Sequence, residues 1–322
     1  MDTEHNKGEE LIEILLKVPQ HYDGWRLDHF VHARIPRLSR SRIQRIIRGQ
    51  LELGGVLLRP SMRVREGQEF VLLRPAPEEP DVPRGFDVLF KDEHLIAINK
   101  PAGLPVHATA RFHKNTLTAV LREHFPVGHV PTIAHRLDRE TSGLMLLCRS
   151  ELAQKEIKSA FEKRLVHKRY LAIVHGFPGD EGVIDLPIGE DNEAGIRVKR
   201  SVNENGQIAR TKFVCLDRRG EFSMVEAFPE TGRQHQIRVH LAARSAPVVG
   251  DKLYGPDPSF LLEYLETGWT ASLQKKLLSP RHLLHAADIQ FVHPCSGKQM
   301  HLVCPMPYDM ENFWNRCAYQ IG

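Results

Sequence analysis

The segment 134–150, AHRLDRETSGLMLLCRS, constrains the fold of this chain more than any other stretch. Its first half is a short polar turn, and residues 144–147 then form an apolar run of the length of a buried strand. The turn holds Asp138 between Arg136 and Arg139, and a nearby cation favours the ionised form of a carboxylate. The sequence therefore predicts an ionised carboxylate, the form that acts as a nucleophile, at the end of a rigid element.

Two interpretations of Asp138 are open on these residues alone. An Asp beside an Arg commonly forms an ordinary surface ion pair, here with Arg139. The decapeptide HRLDRETSGL, however, resembles the signature of the RluA-type RNA pseudouridine synthases, HRLDxxTSGL, whose Asp is the catalytic residue. A string with this many fixed polar positions is more specific than a lone glycine motif. The resemblance therefore implies that Asp138 is catalytic.

Length and composition indicate a globular protein of two domains, since 322 residues with 41% hydrophobic content can fill ordinary cores. The opening residues, MDTEHNKGEELIEILLK, are acidic where a signal peptide is basic, and no apolar run has the length of a membrane span. Five cysteines without a CxxC pair are typical of reduced cytosolic thiols. The Cys and His between 293 and 304 match no zinc spacing. We expect a cytoplasmic protein with no metal and no membrane partner.

The net charge of +4 is unevenly distributed along the chain. Residues 17–74 contain twelve Lys and Arg against five Asp and Glu, so this segment carries +7 and the remaining residues sum to about −3. A local cationic surface is what phosphate binding needs, because counterion release supplies most of the non-specific affinity for nucleic acid. The charge pattern therefore predicts RNA as a partner of this segment.

Residues 1–16, which precede this segment, are acidic, and we expect them to form a tail of no evident role. Apolar residues at helical spacing predict a first helix from about Leu27 to Ile35, ended by Pro36. A second helix is predicted from a Ser39 cap to Gly49, with isoleucines on one side and arginines on the other. Such a charged face is often simply solvated, but arginines without interleaved acids leave like charges unpaired unless an anion meets them.

The arginines predicted to bind RNA are Arg37, Arg40, Arg42, Arg45 and Arg48. After them, LELGGVLL predicts a hairpin around Gly54 and Gly55, and EFVLL predicts a further strand. Two helices, an arginine face and a small sheet resemble the S4-like RNA-binding domain, which implies a domain at 17–74. The proline-rich, acidic segment 75–84 predicts a stiff linker to a second domain at 85–322.

The second domain resembles the catalytic domain of the family, which implies an α+β fold with a mixed, mainly antiparallel sheet flanked by helices. Its opening, FDVLFKDEHLIAINKPAGLPVH, predicts two strands followed by the family's Lys-Pro-x-Gly loop. A helix is predicted over about 116–125, and Ser150 is predicted to cap another. Residues 182–228 predict an antiparallel meander, and 258–278, which do not align with the family pattern, predict a helical insertion of unknown purpose.

The strand KRYLAIVHG carries Lys168 and Tyr170. In the family the Tyr of a K-x-Y strand stacks on the target base, a role that implies Tyr170 in the active site, with Lys168 binding substrate. An aromatic face is physically suited to hold an extruded base. The alternative is a half-buried Tyr with its hydroxyl in water, and the strand alone leaves the two equal.

A second specific motif is ETGRQHQIRVHLA. Thr231 and Gln234 have the spacing of a capping box, which predicts a helix from there. The family's motif places its active-site basic residue at Arg238, paired with the catalytic carboxylate. We expect Arg233 and His235 of this motif to bind substrate. His235 and His240 do not share a helix face, so a di-histidine metal site is not expected.

The activity that the resemblance implies is isomerisation of uridine to pseudouridine, which needs neither redox change nor a cofactor. The target base must leave its stack, and Arg136 is our candidate for filling the vacated place or binding a phosphate. RNA is the expected partner of a monomer, with large-subunit ribosomal RNA favoured over transfer RNA. Whether Asp138 attacks the sugar, attacks the ring or assists glycal formation stays open.

Two functions of other classes compete with this one. The first is a ribosome-assembly factor that binds RNA on the same fold without catalysis, which the presence of Asp138, Tyr170 and Arg238 disfavours. The second is a hydrolase that uses Ser142, His135 and Asp138. The serine lacks a GxSxG elbow, and this scheme leaves the arginine-rich module unexplained.

Overall fold

The structure is a computed structural model that describes residues 11–35, 38–54, 56–75, 79–109, 112–191, 199–255, 257 and 259–318, without the side chains of 11–14, 73–75 and 318. The chain divides into two compact units, Met1–Glu78 and Glu79–Gly322. The division falls within the segment 75–84 that we predicted to be a linker.

The described part of the first unit contains a three-stranded antiparallel sheet, two α-helices and one turn of 3-10 helix, Gln20–Tyr22. Its elements are β1 (Leu11–Lys17), α1 (Leu27–Arg34), α2 (Arg40–Gly49), β2 (Leu51–Glu52) and β3 (Glu69–Pro75), and the sheet order is β1-β3-β2. Both predicted helices are present. The Ser39 hydroxyl accepts a hydrogen bond from the Arg42 backbone N–H at 3.4 Å, which caps α2 as its sequence predicts.

Two predictions for this unit are wrong. Residues 11–16 do not belong to a tail, because β1 pairs with β3 along its whole length, and Leu16 and Val18 are buried. The acidic charge of the opening residues indicates a tail, whereas the apolar residues that follow them form a strand. The predicted hairpin over LELGGVLL is also absent from its described residues: β2 pairs with β3, and Leu57 is 78% exposed, so it has no core to pack against. Gly55 lies outside the described residues.

The second unit is built on one large mixed sheet. Its strands are β4 (Asp87–Lys91), β5 (Leu95–Lys100), β6 (Thr132–Ile133), β7 (Ser142–Cys148), β8 (His167–His175), β9 (Glu181–Asp185), β10 (Ile188–Glu190), β11 (Arg200–Val202), β12 (Arg210–Arg219), β13 (Phe222–Pro229), β14 (Leu284–Val292) and β15 (Gln299–Val303). Its helices are α3 (Leu117–His124), α4 (Glu151–Glu162), α5 (Gln236–Ala243), α6 (Ser259–Thr267), α7 (Ala271–Leu277) and α8 (Tyr308–Ala318).

The sheet order is β4-β5-β7-β14-β8-β13-β12-β9, with β15 on β14 and β6 on β7, and β10 and β11 form a separate pair. Among the described strands, only β7 and β14 run parallel, so the sheet is mainly antiparallel as expected. Gly143 lies opposite Ala286 in that parallel pairing, with φ +109°. A Cβ there would stand 2.3 Å from the Ala286 carbonyl oxygen, so only glycine fits.

The centre of this sheet places three segments side by side. Strand β7 is buried at every residue, and the polar turn that holds Asp138 comes directly before it. Strand β8 pairs with both β14 and β13 and brings Tyr170 opposite Ala286 and Ala227. Helix α5 follows β13 after a short turn. Segments that are about 100 residues apart in sequence therefore reach one region of the sheet.

The predicted capping box at Thr231 and Gln234 is wrong. Helix α5 begins at Gln236, and its N-cap is His235 in a left-handed conformation, φ +60°. The Gln236 side chain holds this turn instead: its Oε1 accepts hydrogen bonds from the Thr231 hydroxyl at 2.7 Å and from the Arg233 N–H at 3.0 Å. The motif spacing had suggested a helix that starts one turn earlier.

Candidate active site

A pocket of about 460 Å³ lies in the second unit where the turn before β7, the start of β8 and the turn before α5 meet. The structure brings together there all seven residues of this unit that the sequence predicted for the site: Arg136, Asp138, Lys168, Tyr170, Arg233, His235 and Arg238. Two specific motifs and a strand that are distant in sequence thus form one cavity.

The backbone of the turn that carries Asp138 is fixed by hydrogen bonds from a buried lysine. Lys100 has no exposed surface, and its Nζ donates to the carbonyl oxygens of Pro101 at 2.8 Å, Leu104 at 3.0 Å and Arg139 at 3.2 Å. Gly103 N–H donates to the same Arg139 carbonyl at 2.8 Å. Burial lowers the pKa of Lys100 to about 7. The Lys-Pro-x-Gly loop that the sequence analysis noted therefore fixes the backbone next to Asp138, a role that its residues alone did not indicate.

Arg238 joins Asp138 to a second carboxylate. Its Nη1 donates to Asp138 Oδ2 at 2.8 Å, while Nε and Nη2 donate to the two carboxylate oxygens of Asp251 at 2.7 and 2.9 Å. Asp251 is buried and also accepts hydrogen bonds from the backbone N–H groups of Leu253 and Tyr254. This bidentate pair fixes the guanidinium plane, so that Nη1 points at Asp138. The sequence analysis assigned no role to Asp251, which lies in neither of its two specific motifs.

Electrostatics at this position favour an ionised Asp138. Burial by itself would raise the pKa of Asp138, but His235 where it is protonated at low pH, the charge of Arg238 and the Arg238 hydrogen bond hold that pKa below the usual range. Burial lowers the pKa of His235 to about 4, so that imidazole is neutral at pH 7 and Arg238 is the cation that acts there. Arg136 contributes less, and Asp251 and Asp138 in turn raise the pKa of Arg238 against the effect of its burial.

His235 closes one side of the carboxylate. Its Nδ1 is hydrogen-bonded to the Tyr254 hydroxyl at 2.8 Å, and its Nε2 lies 3.9 Å from Asp138 Oδ1. The Tyr254 hydroxyl also accepts a hydrogen bond from the Arg200 backbone N–H at 2.9 Å. The imidazole is therefore oriented by its neighbours, with one nitrogen facing Asp138.

Tyr170 forms part of the pocket wall on β8. It is only 9% exposed, so the interpretation as a half-buried strand tyrosine is wrong. Burial, together with the charge of Asp138, raises the pKa of its hydroxyl, and the phenol stays protonated. The pocket thus has an uncharged aromatic wall beside its carboxylate.

Two alternative interpretations of the HRLDRETSGL motif do not fit the structure. Arg139 pairs with Glu140 at 2.8 Å rather than with Asp138, so the plain surface ion pair is absent. The Ser142 hydroxyl is hydrogen-bonded to His285 at 2.9 Å, while His135 Nε2 accepts the Leu146 backbone N–H at 3.0 Å. Neither histidine links the serine to Asp138, which excludes the proposed hydrolase triad.

The pocket wall carries an excess of unpaired positive charge. Four cations that line it form no ion pair with any described residue: Arg136, Arg164, Lys168 and Arg233. The acids that line it are all paired: Asp138 with Arg238 at 2.8 Å, Glu162 with a lysine at 4.0 Å and Glu230 with an arginine at 3.0 Å. Burial lowers the pKa of Lys168 to about 8, which leaves it mostly charged at pH 7. The wall is suited to an anionic ligand.

The arginine face predicted in the first unit is present in its described part. Arg40, Arg42, Arg45 and Arg48 are exposed on α2 and pair with no described acid, whereas Ile43, Ile46 and Ile47 are buried on the other side. Arg37 lies outside the described residues.

Two kinds of feature are absent from the described residues. No group of three or more His, Cys, Asp and Glu is arranged to hold a metal ion. No helix there is long and apolar enough to cross a membrane.

Comparisons of the whole chain with known proteins give consistent matches. Residues 94–243 match a family model described as RNA pseudouridylate synthase. Ribosomal large subunit pseudouridine synthase D of Zymomonas mobilis is 33% identical over 303 residues, which cover 89% of this chain and 92% of that protein. The protein of the same name from Xanthomonas campestris is 36% identical over 304 residues, which cover 91% and 89%. The solved structure of human RNA Pseudouridylate Synthase Domain Containing 4 has 29% identity and a TM-score of 0.57, and it covers 71% of this chain and 92% of that one.

Proposed function

Because this chain belongs to the RNA pseudouridylate synthase family, an isomerase family, we propose that it converts specific uridines of large-subunit ribosomal RNA to pseudouridine with Asp138 as the catalytic carboxylate. The observation that carries the role of Asp138 is its position in the pocket, 2.8 Å from a guanidinium that Asp251 holds in place.

The reaction breaks the bond from the sugar to the uracil nitrogen and remakes it to carbon. Attack on the sugar, attack on the ring and assisted glycal formation all begin with an ionised carboxylate next to the nucleoside. Asp138 has the low pKa that each route needs, and its backbone is fixed through Arg139. Arg238 supports the reaction by keeping Asp138 ionised and oriented without touching the base.

The other pocket residues are assigned to the substrate. Tyr170 stacks on the extruded uracil, for which its buried, uncharged ring is suited. Arg136 fills the place that the base leaves or binds a phosphate. Lys168 and Arg233 bind the RNA backbone as unpaired cations of the wall, and the neutral His235 contacts the nucleoside beside Asp138.

The first unit is assigned to RNA binding as an S4-like domain. Its exposed arginines on α2 have the spacing and the lack of acidic partners that phosphate contacts require. The large-subunit relatives favour ribosomal RNA as the substrate, and such a substrate implies a cytoplasmic enzyme. A transfer RNA substrate is the second candidate within the same activity.

The function is tested by mapping pseudouridine across total RNA from cells with and without this gene. We expect one or a few sites in large-subunit ribosomal RNA to be lost without the gene and restored by the wild-type protein. Loss of sites in transfer RNA alone would replace the proposed substrate by the second candidate. An unchanged map, together with no conversion of large-subunit RNA by the purified protein, would reject the proposal.

A triple substitution of Arg42, Arg45 and Arg48 to Gln tests the RNA-binding face. If each arginine meets one phosphate, the slope of log affinity against log salt concentration should fall in size by about two to three. The rate at saturating RNA should stay within about twofold, because no catalytic group is touched. The measurement is RNA binding and single-turnover conversion between 50 and 200 mM salt, roughly the range over which such contacts are lost.

The matched control replaces three exposed lysines by Gln: Lys155 and Lys158 on α4, and Lys163 at its C-cap. It removes the same charge from a surface with no assigned RNA contact, and we expect a smaller change in slope. Equal slopes for the arginine triple and the wild type would contradict the assignment of α2.

A further inference from the structure

The turn between α4 and β8 ends the helix in a left-handed residue. Leu165 N–H donates to the Ala160 carbonyl at 2.9 Å and Arg164 N–H donates to the Phe161 carbonyl at 3.1 Å, which is the pattern of a Schellman motif. Arg164 occupies the position after the cap with φ +60°. That position is usually glycine, because a Cβ is unfavourable in the left-handed region.

Arginine at such a position is an exception that the fold does not explain. Glycine would form the same two backbone hydrogen bonds without the steric cost of a side chain. Four described residues other than glycine have positive φ, and two of them, Arg164 and His235, line the active-site pocket. When a residue next to a site keeps an unfavourable backbone conformation, its side chain is a candidate for a functional role.

The Arg164 side chain is exposed and lines the pocket, without a hydrogen bond or ion pair from its guanidinium to any described residue. Lys168, four residues on, lies on the same wall. The adjacent acid, Glu162, is exposed and lies 4.0 Å from Lys158. The guanidinium is thus a free cation at the rim, on the wall formed by α4 and β8.

We propose that Arg164 binds a phosphate group of the RNA next to the target uridine, and that this contact is the reason for arginine at a glycine position. The inference rests on the proposed function, since it requires an RNA substrate whose backbone leaves the pocket over this rim. A guanidinium suits the role because it binds two phosphate oxygens at once and stays charged at all relevant pH values.

The left-handed backbone at position 164 lets the test separate binding from folding, because Arg164→Gly should fold at least as well as the wild type. We expect its thermal midpoint to be unchanged or higher. KM for RNA should rise about threefold to tenfold at 100 mM salt, with kcat within about twofold, and the salt slope of binding should fall in size by about one. Arg164→Lys should keep the slope, because it keeps the charge.

Lys163→Gln is the matched control, since it removes one charge from the neighbouring exposed residue, which does not line the pocket. An Arg164→Gly protein with the wild-type KM and salt slope would overturn the inference, as would a loss confined to kcat. If the wild-type protein still forms pseudouridine, either result for the variant would leave the proposed function standing. Failure of the wild-type protein itself to convert any RNA would instead reject the proposed function.

Discussion

Replacing Asp138 by Asn is expected to slow pseudouridine formation by at least about 10⁴-fold, which is the scale of losing a nucleophilic group. The amide is neutral and cannot attack the sugar or the ring. The pocket should keep its shape, because Arg238 remains held by both oxygens of Asp251. The measurement is the single-turnover rate on large-subunit RNA, with RNA affinity determined separately and expected to stay within about threefold.

Glu162→Gln is the matched control for this variant. Glu162 lines the same pocket but is exposed, and its ion pair with Lys158 at 4.0 Å contributes little. Its rate should stay within about twofold of wild type. Asp138→Asn protein that converts uridine at the wild-type rate would show that another group does the chemistry.

Replacing Arg238 by Met is expected to abolish turnover and also to lower the free energy of unfolding by about 3–5 kcal/mol, because it leaves the buried charge of Asp251 unpaired. The second effect complicates the first, since an unfolded protein is also inactive. Thermal or denaturant unfolding of the purified variant measures the loss of stability, and single-turnover conversion measures activity.

The double variant Arg238→Met with Asp251→Asn separates the two effects. It removes both members of the buried pair, so we expect it to recover most of the lost stability. It should remain inactive, because Asp138 still lacks the cation that lowers its pKa. A double variant that regains a tenth or more of the wild-type rate would contradict the role given to Arg238.

Local features of this fold could be predicted well from sequence. Ser39 and Ser150 each cap a helix as the sequence predicts, because a cap depends only on its own residue and the next turn. The buried strand after Asp138 could also be predicted, since an unbroken apolar run in a folded domain has to be covered on both faces.

Pairings between distant segments could not be derived in this way. The residues 51–58 have the pattern of a hairpin, yet β2 takes its partner from β3, and only the assembled sheet decides which strand wins. The opening residues are a second case. Strand β1 is stabilised by pairing with β3, and the charged residues next to β1 do not indicate this pairing.

The ion pairs of the active site, like the strand pairings, could not be predicted from neighbours in sequence. Arg136 and Arg139 flank Asp138 in sequence, but Arg139 pairs with Glu140, and the partner of Asp138 is Arg238, 100 residues away. The resemblance to a family supplied that pairing, whereas proximity in sequence did not. Asp251 could not be assigned from its surroundings in the chain, because its role exists only through Arg238.

If an ionised Asp138, held by Arg238, carries out the isomerisation, the single-turnover rate at saturating RNA must follow the ionisation of this carboxylate as the pH changes. A carboxylate with a lowered pKa is active above that pKa and loses activity only as the pH falls through it. We therefore expect a rate that is constant from pH 7 to pH 5, because Asp138 stays ionised below its ordinary pKa of 3.8. A rate that falls with a midpoint near pH 6 would show that the reacting group is not this carboxylate in this state.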